Sequence, residues 1–435
     1  MKRILLEQLV LWKKSRFRKP LLLDGARQVG KSYLLENIFG NNYFKKVHKF
    51  DFREDKDLTD IFKESLDPKK ILESLQLKIQ EKINLEEDLI FFDEIGESQE
   101  ALDSLKYFAE KMPEIYLCSS GSNLGLIKSF PVGKTVNLEL YPMSFKEFLH
   151  ASDNQILIEQ FESSSKSQLL HKKLWTMLLD YFYVGGMPEA VLSWYNHENI
   201  IDRINAVNQV HTDLIIGYQR DFGKYKGQEN ALHIESVFFK IPTQLQKVID
   251  GSVKRFEFKN VIERKKRYQD LRGPLDWLEK SKLISKNYIV TSQPQTPLKS
   301  LVKDNIFKCF FFDVGLLNHI LEMSYQEILN QKNSYRGYVA ENFIQNELRV
   351  KGIYPSYSWS ERNSEIEFIL KSQHGEFIPM EIKSGSRTRA KSLAVYKNKY
   401  NPIKTIKLTA SERGGSDVDL IRPLYDIEEI QNLLM

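Results

Sequence analysis

The sequence predicts an α/β fold, a three-layer sandwich around a mostly parallel sheet, on three observations. Short apolar runs at residues 21–23, 46–52, 88–95, 114–122 and 136–140 read as strands. Between them, residues 57–66, 68–79 and 101–112 carry apolar positions at helical spacing, so strands and helices alternate. The third observation is the run Gly25-Ala26-Arg27-Gln28-Val29-Gly30-Lys31-Ser32, set between the first strand and an amphipathic segment with Leu34, Leu35, Ile38 and Phe39.

Each element has its own signal. Leu5, Leu9 and Trp12 fall at i, i+4 and i+7, which predicts a short N-terminal helix; Glu7 inside it argues against a leader peptide. Asp67-Pro68 reads as an N-cap with proline at the first helical position. The run DLIFFDEI ends a buried strand in two acids. From about residue 141 the pattern turns helical, over 144–195 with a break at Gly185-Gly186-Met187-Pro188, and again over 201–218. Residues 225–290 read as a small helical module closing with a strand. Gln293 to Lys299, with two prolines, reads as a linker. Beyond it come a strand at 306–312, a helix at 337–350, strands at 365–370 and 376–383, an Ala/Lys-containing helix, a strand at 403–408 and a terminal helix. The expected division is 1–145, 146–295 and 296–435.

Composition narrows the class. Of the 435 residues 42% are hydrophobic and 28% charged, as in a soluble globular protein. The net charge of +5 is small for this length, so a nucleic-acid partner has to be argued from local patches. Cys118 and Cys309 each lie in an apolar run and read as buried thiols, and the eight histidines show no zinc-binding spacing. No stretch reaches membrane-spanning length, and the cytoplasm is the expected compartment.

The glycine-bounded loop has the pattern G-x-x-x-x-G-K-[ST] in strand–loop–helix context. Gly25 and Gly30 let successive backbone N–H groups point into one concavity, Lys31 brings a cation to the phosphates, and Ser32 offers a hydroxyl to Mg²⁺. Asp93 and Glu94 end the strand expected beside it; we assign Asp93 to the metal and Glu94 as catalytic base. In the following Ser119-Ser120-Gly121-Ser122-Asn123, Ser122 is the candidate sensor of the terminal phosphate and Asn123 the second choice, against a plain turn or N-cap cluster. Arg220 is a candidate finger or, equally, the partner of Asp221 in a structural pair.

Two further patterns carry charge. Lys254 to Arg272 is the most basic stretch, with Phe256, Phe258 and Tyr268 interleaved, and reads either as a phosphate-backbone contact or as a solvated helical face. Near the C-terminus, Glu341 lies on a helix, Glu365 and Glu367 share one face of a strand, and Glu381 and Lys383 share one face of the next while Met380 and Ile382 turn to the core. Such carboxylates with a lysine can hold Mg²⁺ and a water for phosphodiester hydrolysis; an exposed charged edge is the plainer alternative.

The motifs GARQVGKS, DE after FF, GS after the next strand, LYPMSFKEF, GGMPEAV, RDFGKY, FFFDVGLL, GYVAENFIQNEL and EIEFIL with IPMEIKSG occur in one order. Together they resemble the prokaryotic AAA-type ATPases that carry a C-terminal domain of unknown function 4143, over nearly the whole chain. The resemblance implies an ATP-binding P-loop domain with a catalytic glutamate, a winged-helix-like middle and a restriction-endonuclease-like C-terminal domain. It supports the roles given to residues 25–32, Asp93 and Glu94. The chain departs from the family at Gly133-Lys134, where the family has Gly-Arg and a bidentate guanidinium is lost. It departs again at Glu367, where nuclease-like relatives have a metal-binding aspartate one methylene shorter. The expected function is a Mg²⁺-dependent ATPase that couples hydrolysis to conformational change and acts on or with DNA. The alternatives are a nucleotide-regulated nuclease using Glu341, Glu367, Glu381 and Lys383, or an ATP-dependent binding switch. A homo-oligomer is left open.

Overall fold

A computed structural model of the chain describes residues 1–16, 18–126, 133–163, 167–223, 228–244, 255–330, 336–383 and 391–434. The chain forms two compact units, Met1–Tyr141 with Lys280–Lys282, and Pro142–Glu279 with Leu283–Met435.

The first unit holds strands β1 (Leu21–Asp24), β2 (Val47–Asp51), β3 (Leu89–Asp93), β4 (Tyr116–Ser120) and β5 (Val136–Glu139). They lie in the order β2-β3-β4-β1-β5, and every pairing is parallel. Parallel neighbours need crossovers, and the helices predicted between the strands supply them. Period-two alternation sends Leu22, Phe50, Ile90, Phe92 and Leu117 into one core with residues of the helices Leu58–Glu64, Pro68–Ile79 and Gln99–Lys111. The opposite face carries Leu21, Leu23, Leu89 and Phe91, all buried. It packs on the helical run that starts at Lys31 and continues with wider, π-type turns over Leu34–Gly40. The N-terminal helix Leu6–Lys14 closes this side, with Trp12 edge-on to Phe39 at 6.2 Å. Asp67 caps Pro68–Ile79 as expected, accepting from Lys69 N at 3.0 Å.

The second unit opens with the helices Phe145–Ala151, Gln155–Glu162, Gln168–Val184, Pro188–Asn196, Ile200–Phe222 and Gln228–Gln244. Its Gly-Gly break is a packing device. Asp313 accepts hydrogen bonds from Gly186 N (2.7 Å) and Leu316 N (2.9 Å), capping the helix Val314–Ile320. A Cβ on Gly186 would stand 2.1 Å from Met143 O, and one on Gly315 2.4 Å from Val184 O. The segments around Met143, Gly186 and Asp313 thus interlock through backbone contact, and the Asp313 carboxyl is raised to about 6 by its burial.

Two sheets follow. β6 (Ile284–Val290), β7 (Phe307–Phe311), β8 (Ser356–Glu361) and β9 (Ser364–Ile366) form one, in the order β7-β6-β8-β9. β10 (Phe368–Lys371), β11 (Phe377–Ile382), β12 (Thr405–Thr409), β13 (Gly414–Gly415) and β14 (Asp419–Pro423) form the other, in the order β10-β11-β12-β14-β13. The boundary expected at residue 295 falls inside the first of these sheets, because β6 and β7 on either side of it pair antiparallel along five residues. The single strand expected over 365–370 is two. The chain leaves one sheet after Ile366 and enters the next at Phe368, so Glu367 stands at the break rather than sharing a strand face with Glu365. Among the described residues no helix is long and apolar enough to cross a membrane.

Candidate nucleotide site and a second carboxylate cluster

β1 ends at Asp24, and the chain turns through Gly25 at φ +156°, where a Cβ would meet Leu140 O at 2.3 Å. Only glycine passes that close to β5's end. Gln28 (φ 64°) and Gly30 (φ 90°) keep the loop curled until the helix begins at Lys31. Arg3 braces it from outside, donating from Nη1 to Val29 O at 2.8 Å and from Nη2 to Tyr141 O at 2.6 Å. Lys31 folds back into the loop, its Nζ donating to Gly25 O (2.9 Å) and Ala26 O (2.8 Å). Burial pushes its ammonium down to about 8, against the pull of Glu94, Asp24 and Asp93.

Ser32 Oγ donates to Asp93 Oδ1 at 2.9 Å, which joins the loop to the acid at the end of β3. Asp93 is 3% exposed. The Ser120 hydroxyl donates to the same oxygen, and Lys49 Nζ lies 3.1 Å from the other. Partial burial pushes the Lys49 ammonium down, but its contacts with Asp93 and Glu36 outweigh that and raise it. Lys49 has no place in the sequence reading, and Ser120 stands in its serine cluster with Ser122 preferred, although strand alternation points to both. Lys49 pairs with Phe91, two residues before Asp93, and Cys118 with the same Phe91, so 49, 93 and 120 face one way. Arg3 had no sequence signal.

Glu94 has left-handed backbone (φ 48°, ψ 41°), which costs a non-glycine residue on the order of 1–2 kcal/mol. The turn directs its carboxylate to the end of β4, where Ser122 Oγ (3.3 Å) and Ser122 N (3.4 Å) donate to Oε2. Arg27 Nε in turn donates to Ser122 Oγ at 3.2 Å. The structure therefore brings together Arg27, Lys31, Ser32, Asp93, Glu94 and Ser122 around one loop. Asn123 follows with φ 64°. Lys134, at the family's arginine position, forms a surface pair with Glu110 at 2.8 Å.

Other candidates land elsewhere. Arg220 is exposed on the helix Ile200–Phe222 of the second unit. Of the basic run, Lys254 lies outside the described residues. Phe256 is buried, and Phe256 and Phe258 pack on Phe307 with ring centres at 5.9 and 6.0 Å. Phe256 thus serves the core and Phe258 and Tyr268 are half-buried against Phe307, while Arg255, Lys259, Arg264, Lys266, Arg267 and Arg272 stay exposed. Both cysteines are buried, and burial raises their thiols.

Glu341, Glu367, Glu381 and Lys383 do gather in the second unit, not on an exposed edge. The three carboxylates are 4%, 6% and 1% exposed. Lys383 Nζ is 2.8 Å from Glu381 Oε1 and 4.0 Å from Glu367 Oε1. Glu367 Oε2 also accepts from Ile382 N at 3.2 Å. Burial, then Glu341 nearby, raises the Glu367 carboxyl to about 7. An unforeseen lysine completes the group: Lys308 on β7, 5% exposed, lies 3.3 Å from Glu341 Oε2 and is ion-paired with Glu365. Its burial disfavours the charge, but Glu341, Glu365 and Glu367 outweigh that and raise it.

A phosphate loop after β1, a buried lysine inside it and an acidic β3 end on a parallel sheet define a P-loop nucleotide-binding domain. Comparison with known families agrees. Residues 17–149 match the model of an AAA domain, residues 176–327 a domain of unknown function (DUF8612), and residues 336–422 a domain of unknown function (DUF4143). The chain thus carries an AAA domain and a DUF4143 domain, the combination of the AAA-type ATPases its motifs resemble. An uncharacterized protein of Haemophilus influenzae is 28% identical over 209 residues. That match covers 43% of this chain and 44% of the relative, so the chain spans under half the length of the curated protein it matches. Two structures of Thermotoga maritima RuvB, one titled a Holliday junction branch migration motor and the other a point variant, are 13% and 14% identical. They cover 69% and 68% of this chain and 90% of their own, with TM-scores of 0.24 and 0.25, too loose an overlay to carry a functional argument.

Proposed function

We propose that the first unit binds ATP with Mg²⁺ and hydrolyses it, and that turnover changes the conformation of the rest of the chain. The observation that carries this reading is the Ser32–Asp93 contact at 2.9 Å, because it unites the loop's hydroxyl with a carboxylate from a separate strand. Hydroxyl and carboxylate are the hard oxygen donors that suit Mg²⁺, so the residues present fit the metal. Mg²⁺, when bound, neutralises charge on the phosphate oxygens. Lys31 gives up two backbone carbonyls for phosphate oxygens, an exchange of neutral for charge-assisted hydrogen bonds that favours the nucleotide. Loop N–H groups and the helix start at Lys31 hold the same anion. Glu94 Oε2 takes the proton of the attacking water, and Ser122, placed between Arg27 and Glu94, reports on the terminal phosphate.

DNA is the proposed partner of turnover. The exposed cations of the described part of the basic run offer phosphate contacts, so DNA retention should fall steeply with salt.

The deciding experiment measures steady-state ATP turnover, with and without DNA, for the wild type and Glu94→Gln, beside calorimetric ATP binding. Turnover lost with binding retained supports the assignment. No heat of ATP association at millimolar concentration overturns it.

A further inference from the structure

The first unit contains three residues from far along the chain, Lys280–Lys282. They lie outside the residues 17–149 that match an AAA domain and inside the 176–327 match. In sequence they form the turn between the helix Tyr268–Lys280 and β6, and Lys282 takes left-handed backbone there (φ 66°). Ser281 is 2% exposed. A Cβ on Gly125 would stand 2.9 Å from Lys280 O, so the turn is seated on the short helical piece Leu124–Leu126 that follows Ser122.

Lys282 meets the chain where it enters the phosphate loop. Its Nζ lies 2.8 Å from Glu139 Oε1 and 3.7 Å from Asp24 Oδ2. Asp24 and Glu139 are register partners at the ends of β1 and β5, both half-buried. Neighbouring strands run about 4.8 Å apart, so two carboxylates placed there repel unless a cation joins them. Burial pushes the Asp24 carboxyl up and Glu139 adds to it, while Lys282 is the strongest pull the other way. The other Asp24 carboxylate oxygen, Oδ1, accepts from Gly25 N at 2.8 Å, and Asp24 O accepts from Leu140 N at 2.8 Å. Gly25 O in turn accepts from Lys31 Nζ. A series of direct contacts thus runs from Lys282 through Asp24 and Gly25 to the lysine of the loop.

We propose that Lys282 is a positioning residue of the phosphate loop, supplied from outside the matched AAA domain: its ammonium neutralises Asp24 and Glu139 together and so fixes the turn at Gly25 by which Lys31 is held. The inference deepens the ATPase reading, and only its kinetic arm rests on that reading.

The test compares hydrogen exchange of the nucleotide-free full chain in the wild type, Lys282→Met, Lys282→Arg and Lys282→Met/Glu139→Gln. It is read in the peptides covering Gly25 and Leu140, whose N–H groups donate to Asp24. Lys282→Met should speed exchange there about three- to tenfold, with the helix Gln168–Val184 unchanged. Lys282→Arg should keep the wild-type rate. The double variant should return to it, because with one acid made neutral the repulsion is gone; a lysine acting by packing alone would not be rescued this way. In ATP turnover, Lys282→Met should raise KM about three- to tenfold and leave kcat within about twofold. Unchanged exchange in Lys282→Met overturns the proposal, as does a double variant that exchanges as fast as Lys282→Met, or a fall in kcat with KM unchanged. If Lys282→Met does not fold, the double variant decides alone: wild-type exchange supports the proposal, and faster exchange or failure to fold overturns it. A wild type that turns over no ATP sinks the ATPase reading and leaves the exchange result to decide this one.

Discussion

Lys31 and Lys308 are both buried lysines among carboxylates, yet they sit in opposite company. Lys31 donates to two neutral carbonyls of its own loop, and its ammonium is pushed down to about 8. Lys308 is paired with ionised side chains, and its ammonium is raised. The first can exchange partners cheaply when a more negative ligand arrives. The second has already found its counter-charges, and leaving them exposes buried carboxylates. The Lys31 ammonium is held by backbone dipoles, whereas the Lys308 ammonium is held by charge.

The comparison breaks most visibly at the nucleotide loop. Glu94→Gln should lower ATP turnover by about 10²–10⁴-fold with nucleotide affinity retained, and Lys31→Ala should lower both. Loss of ATP binding in Glu94→Gln would show instead that the left-handed turn at Glu94 supports the loop. Because Lys31 titrates near 8, ATP affinity of the wild type should also weaken as pH rises through 8, measured by calorimetry at constant free Mg²⁺.

At the C-terminal cluster the effect moves to stability. Lys308→Ala leaves the buried Glu341 and the half-buried Glu365 without their cation, and should cost about 3–5 kcal/mol in urea denaturation. Glu367 sharpens the contrast through pH. Its carboxyl, raised to about 7 from 4.5, keeps a proton in the folded chain that the unfolded chain releases. Its contribution to stability is therefore full below pH 4.5 and lost as pH climbs to 7. Glu367→Gln should remove a fall on the order of 1–3 kcal/mol over that window, read from urea midpoints at successive pH values. The smallest effect belongs to Lys49→Met. Its side chain is 32% exposed, so loss of the Asp93 pair should cost only about 1 kcal/mol or less, while tightening Mg²⁺ dependence of turnover by freeing Asp93 Oδ2.

The sequence alone determined the parallel sheet and the loop. Periodicity and turn chemistry act within a few residues: Asp67-Pro68 caps its own helix, and Gly25 to Ser32 carry a backbone shape that needs no distant partner to be recognised. Asp93 and Glu94 were readable because they end an apolar strand. What only the tertiary structure decided depends on neighbours far along the chain. Lys49 and Ser120 converge on Asp93 through strand order and register. The 365–370 strand breaks at Glu367, where the chain passes from one sheet to the other. Lys308, an unremarkable residue in an apolar run, becomes the counter-ion of Glu341 and Glu365 only when β7, the helix Arg336–Val350 and β9 are packed together. Charge neutralisation in a buried site is a property of position in space, and no local spacing encodes which cation will supply it.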